Sequence, residues 1–248
     1  MSRNPVFREG IQIYLIEGHG FSAYCYTLLL LAPLEFLALF LPVLDPQTWI
    51  GPANLFKLTS VVTLVLVVYF CLRIANQEFV PWRFLPLKRR LQQEGVAVPD
   101  IVSAQFALLG LHGLLFILIA APLLIWAGAI ARASVVSMLL TLCFVLFYAV
   151  TCGAWGLFAV TLWERRMENR QIFVRAFFFC AVFASAAFYL PLNPIAFLLS
   201  QLEGKEMAPL SLWGWKWSAA SVHFLFDVFL LGSGLLVYRW ALRREAAA

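Results

Sequence analysis

The sequence predicts an all-α integral membrane protein. Six transmembrane helices are expected, with an N-terminal interfacial elbow helix and a short re-entrant segment before the last span. Three observations predict this. Of the 248 residues, 63% are hydrophobic and only 12% are charged, against about 45–50% and about 25% in soluble domains. The apolar residues fall in continuous runs near the roughly 20 residues that a helix needs to cross a bilayer. The scarce Lys and Arg sit between those runs, on alternating sides, which is how membrane topology is written. A soluble enzyme, a disordered chain and a secreted disulfide scaffold are excluded. The whole chain, 1–248, reads as a single transmembrane domain.

The first 20 residues read as the elbow. Val6, Phe7, Ile11, Tyr14 and Leu15 alternate with Arg8, Glu9, Gln12 and Glu17, which suits a helix lying in the membrane interface. Asn4 is placed to cap it and Pro5 to occupy its first turn. Spans are then expected at 21–43, 58–74, 103–127, 135–163, 172–190 and 218–240. The runs lack the alternation of a membrane β-barrel. The first run is too long for a signal-peptide core and no small-residue cleavage pattern follows it, so it is expected to remain as a span.

Orientation follows from the cations. One set of segments holds Arg3 and Arg8, then Arg83, Lys88, Arg89 and Arg90, then Arg165, Arg166 and Arg170, then Arg243 and Arg244; the opposite set holds only Lys57, Arg132, Lys205 and Lys216. Both termini are therefore expected in the cytoplasm, with the chain in the cytoplasmic (inner) membrane. The net charge of +5 is spread through these clusters and gathers on no single face, so no nucleic-acid partner is expected.

Two connecting segments stand out. Segment 75–100 centres on Trp82-Arg83-Phe84-Leu85-Pro86-Leu87-Lys88-Arg89-Arg90-Leu91, which mixes exposed charge with apolar groups, as a cytoplasmic docking surface would. An amphipathic segment resting on lipid head groups is the other reading. Segment 191–217 begins with Pro191-Leu192-Asn193-Pro194 and continues into an apolar run too short to cross, hence the re-entrant or interfacial expectation. Trp213, Trp215 and Trp217 supply an aromatic anchor there.

Four ionisable groups lie well inside the spans: Glu35, His112, His223 and Asp227. A charge at mid-bilayer costs on the order of 2.5–3.5 kcal/mol on insertion scales, so such groups face protein or water. His223 and Asp227, four apart, share one helix face, and Glu35 is expected to be protonated or paired. These four are candidates for a translocation path or a subunit seam, and equally for interhelical hydrogen bonds that fix packing. Gly232-Ser233-Gly234 lacks any further nucleophile-elbow feature. The five cysteines show no metal-site spacing, and no phosphate-binding loop, zinc-protease or paired-carboxylate motif occurs. No catalytic residue, metal or cofactor is expected, and any nucleotide-driven function needs a separate ATPase chain.

The chain resembles the membrane subunits of ABC-2 type transporters. Asn4-Pro5-Val6-Phe7-Arg8-Glu9 is similar to the family's entry into its elbow helix. Glu78, then Arg83-Phe84-Leu85-Pro86-Leu87, then Asp100-Ile101-Val102-Ser103, resembles its loop between spans two and three, although Ala104-Gln105 stands where the family has Gly-Lys. Pro191-Leu192-Asn193-Pro194 resembles its break between the fifth and sixth spans. The resemblance implies a permease of an ATP-binding cassette exporter that pairs with a second copy or a similar subunit. It would dock on an ATPase subunit through Glu78, Arg83, Phe84, Leu85, Leu87, Arg90 and Leu91. A non-transporting scaffold subunit and an intramembrane enzyme remain the alternative readings.

Overall fold

The structure is a computed structural model and describes residues 4–40, 52–80, 95–163, 166–212 and 214–247. Six helices are long and apolar enough to cross a membrane, and they define spans one to six: Phe21–Leu39, Leu55–Ala75, Val98–Ile130, Val135–Leu162, Met167–Phe188 and Ala219–Arg244. The fold is that of an all-α multi-pass membrane protein, as the composition required. Spans three, five and six extend beyond their apolar runs. Polar turns such as Val98-Pro99-Asp100 join the helix ahead of the hydrocarbon-length core, because a helix satisfies its own backbone whether or not its side chains are apolar.

The N-terminal segment forms a helix at Pro5–Ile11, continued by one π-helical turn at Gln12–Ile16. The Asn4 side chain accepts from the backbone N–H groups of Val6 and Phe7, and Pro5 fills the first turn. This short helix packs on span three, with Val6 buried and Gly10 so close that a Cβ there would lie 2.2 Å from a Leu108 methyl.

Span two is the hub, packed against spans one, three and four. Of its most apolar stretch 61% is buried, against 11% in span five. Glycine permits the closest approach. A Cβ on Gly156 would stand 2.6 Å from the Leu72 carbonyl oxygen, and one on Gly153 would stand 2.3 Å from a Leu109 methyl. The small residues of span four therefore serve contacts inside this chain. Gly234 likewise lets the Trp155 indole lie against span six, where its N–H donates to the Leu230 carbonyl at 3.0 Å. Ser233 donates to that same carbonyl.

Span five is interrupted by a second π turn at Cys180–Ala184. After it the chain makes a 3-10 turn at Leu190–Leu192 and a helix at Pro194–Glu203, capped by Asn193 and ended by Gly204 at φ 63°. Here the re-entrant expectation becomes a short helix. A two-stranded antiparallel hairpin follows, Leu210–Leu212 with Trp215–Trp217, a feature not expected from the sequence. Trp213 lies outside the described residues, while Trp215 and Trp217 are exposed, as an aromatic anchor requires.

Candidate functional site

The best-developed site lies where spans two, four, five and six meet. Tyr148 of span four, His223 and Asp227 of span six, and the backbone of Pro191 converge there. His223 is fully buried. Its Nδ1 lies 2.7 Å from the Pro191 carbonyl oxygen. A carbonyl only accepts, so Nδ1 carries the hydrogen and Nε2 of the neutral ring is an acceptor. The Tyr148 hydroxyl is hydrogen-bonded to that Nε2 and donates to it. Phe197 stacks on the imidazole with centroids 3.8 Å apart and an interplanar angle of 11°.

Asp227 completes the group without closing it. Its Oδ2 is 3.0 Å from His223 Nε2, yet it is buried and makes no aligned hydrogen bond, since the nitrogen is directed at Tyr148. The carboxyl instead faces a cavity of about 390 Å³ lined by apolar and aromatic groups, including Cys152, Phe177, Phe188 and Phe226. The π turn of span five supplies part of its wall, through Cys180, Ala181, Val182 and Ala184. Such bulges expose backbone and recur at functional sites. The Val182 carbonyl, inside this turn, accepts from the Asn193 side-chain amide, and Asn193 also donates to the Ser185 hydroxyl at 3.1 Å.

The other intramembrane ionisable residues sit elsewhere. His112 of span three binds the Tyr24 hydroxyl of span one through Nδ1 at 2.6 Å, and Tyr14 packs edge-on against its ring at 4.6 Å. Tyr14, in the N-terminal π turn, donates to the Ile74 carbonyl at 3.2 Å, and burial pushes its phenol above the ordinary range. Glu35 of span one accepts from Thr59 of span two at 3.1 Å, its second oxygen buried and unpaired. The four residues singled out from the sequence thus fall into three separate interhelical contacts, and of them only Asp227 lines the cavity.

Of the coupling candidates, Glu78 is described. Its carboxylate takes the Arg73 Nε–H at 2.7 Å and the Asn76 amide at 3.1 Å, which folds it back on the end of span two. Arg83, Phe84, Leu85, Leu87, Arg90 and Leu91 lie outside the described residues. The sequence reading missed Tyr24, Tyr148, Thr59 and Asn193, each the partner of a buried polar group. A signal existed for the tyrosines: Tyr148 sits deep within its span, far from the interface where tyrosine is at home. Among the described residues no group of three or more His, Cys, Asp or Glu could hold a metal ion.

Fold and site together define a multi-pass helical membrane protein with a half-open, mostly apolar cavity and a buried Tyr–His–Asp group on its wall. Comparison with protein-family models, curated proteins and solved structures finds no match to this chain.

Proposed function

We propose that the chain is the membrane-spanning permease subunit of an ATP-binding cassette exporter, resident in the cytoplasmic membrane with both termini in the cytoplasm. It forms the translocation path together with a second copy or a similar subunit, and a separate ATPase chain drives it. One observation carries the reading. The N-terminal helix is fastened to the start of span three, immediately after the loop expected to dock the ATPase, by a hydrogen bond from Asn4 Nδ2 to the Asp100 carbonyl at 2.8 Å. At the other end of that loop, Glu78 is fixed to span two through Arg73. A force applied to the loop would therefore reach span two, span three and the N-terminal helix as one unit. Through His112 and Tyr24 it would reach span one as well.

The test is affinity purification in mild detergent with identification of every bound chain, for the full chain and for a variant lacking residues 83–91. The reading expects an ATPase with the full chain and its loss on deletion. An ATPase retained after deletion removes the loop from the coupling role, and the absence of any ATPase with the full chain removes the exporter reading. A scaffold subunit without a path is the second reading, favoured by the use of Glu35 and His112 in interhelical hydrogen bonds. It expects assembly with other membrane chains and no ATPase.

A further inference from the structure

The cavity between spans two, four, five and six poses a question of charge. Its walls are mostly apolar, and the carboxyl on them is Asp227, whose Oδ2 lies 3.0 Å from His223 Nε2. The hydrogen-bond pattern leaves that carboxyl without a donor. Pro191 takes the hydrogen on His223 Nδ1, Tyr148 supplies the hydrogen to Nε2, and Ser185, the other hydroxyl on the wall, already donates to the Ala181 carbonyl at 2.8 Å. Among the described residues, no Lys or Arg lines the cavity.

We infer that this cavity is a binding site for a lipophilic amine, a molecule with one protonated nitrogen and an apolar body, whose ammonium N–H donates to the Asp227 carboxylate. Three features fit that occupant and no anion. A carboxylate in a low-dielectric wall is stabilised chiefly by an opposite charge. The rings of Tyr148, Phe177, Phe188 and Phe226 surround the space, and aromatic faces attract cations at about 0.5–2 kcal/mol each. The volume, about 390 Å³, lies within the roughly 300–1,000 Å³ of small-molecule sites. Entry is from the lipid side of spans five and six, where Phe188 is 85% exposed and Phe226 is also exposed, so an amine dissolved in the membrane reaches Asp227 without crossing water. The inference does not depend on the exporter reading; it concerns binding alone.

Three fluorescent probes with the same body test it: pyrenebutylamine, pyrenebutanol and pyrenebutanoate, titrated onto the purified full chain in phosphatidylcholine nanodiscs, with empty nanodiscs subtracted. Pyrene absorbance retained with the nanodiscs at equilibrium dialysis reads the binding. The amine is expected to bind at least tenfold more tightly than the alcohol or the acid. Asp227→Asn is expected to bring the amine down to the level of the alcohol. Cys180→Trp, at an exposed position on the cavity wall, fills the space from the loosely packed span and is expected to abolish binding of all three; it keeps the test alive should Asp227→Asn fail to fold. Equal binding of the three probes overturns the inference. So does an amine preference that survives Asp227→Asn, or amine binding that survives Cys180→Trp.

Discussion

Removing the Tyr148 hydroxyl isolates what the buried Tyr–His–Asp group contributes to the fold. In Tyr148→Phe, His223 Nε2 loses its donor while Nδ1 stays committed to Pro191. A hydrogen bond between membrane helices is worth about 0.6 kcal/mol on average and about 1.7 at most. The loss falls at the low end here, because Asp227 Oδ2, 3.0 Å from Nε2, already stands at hydrogen-bonding distance and can pair with the ring in place of the tyrosine. Asp227→Leu alone leaves the Tyr148–His223 bond intact and removes a buried polar group, a change that is often neutral. The double variant strands Nε2 with no donor, and a buried unsatisfied nitrogen costs about 1–3 kcal/mol. The two substitutions are therefore expected to couple by about 1 kcal/mol beyond their sum. The assay is unfolding in mild detergent followed by a thiol-reactive fluorophore, with Cys25, Cys143 and Cys180 replaced by serine. Cys71, fully buried and away from the cavity, then reports exposure, with Cys152 replaced by serine as well. Additivity within about 0.5 kcal/mol would refute the idea that Asp227 stands in for Tyr148.

Two further outcomes are accessible to the same preparation. Gly156→Ala places a methyl 2.6 Å from a backbone oxygen and 2.9 Å from Ala75 Cβ, and since a helix backbone does not swing aside it is expected to cost about 1–3 kcal/mol. Gly110→Ala, with open space at its Cβ, is the control and is expected to lose nothing; equal effects would remove the close approach of spans two and four as a cause. Glu203 binds Lys57 at 3.1 Å and Lys205 at 2.7 Å, and hydrogen bonds from Lys205 and then Lys57 hold its carboxyl below the ordinary 4.5. A carboxyl lowered by folding stabilises the fold above its unfolded pKa, and that contribution fades as pH falls through the folded one. Thermal stability should therefore fall below about pH 4.5, and Glu203→Gln should flatten that part of the profile. An unchanged profile in the variant would show that this tie between the Pro194–Glu203 helix and span two is idle.

The spans were legible because hydropathy is a local sum: about 20 apolar residues declare themselves without knowledge of their neighbours. Asn4-Pro5 and Pro191-Leu192-Asn193-Pro194 were legible for a related reason, since caps and proline restrictions act within a turn. The partners of the buried polar residues were not. Tyr24 meets His112 across 88 positions and Tyr148 meets His223 across 75, and such pairings depend on how far each helix is rotated about its axis. Periodicity was silent on rotation, because these spans are apolar all round and leave no polar face to orient by. Asp227 was found as an ionisable group, but its place on a cavity wall follows from the gap beside span five, which no residue of span six encodes.

That gap has a structural origin. Span five is the least buried of the six, so side-chain packing alone holds it weakly. Its firmest polar anchors lie at its far end. The π turn at Cys180–Ala184 breaks the regular hydrogen-bond ladder and leaves the Val182 carbonyl to the Asn193 amide. Asn193 also caps the Pro194–Glu203 helix through Ala196 N–H at 2.9 Å, and two residues earlier the Pro191 carbonyl holds the imidazole of span six. One short stretch, 191–193, therefore ties span five, the Pro194–Glu203 helix and span six together through side-chain and backbone groups that the bilayer cannot satisfy. A helix so lightly packed along its length leaves room beside it, and the wall that room exposes is the one carrying Asp227. The same segment that joins these three elements thus fixes the tautomer of His223. It thereby decides that the Asp227 carboxyl faces the cavity with no hydrogen-bond donor of its own.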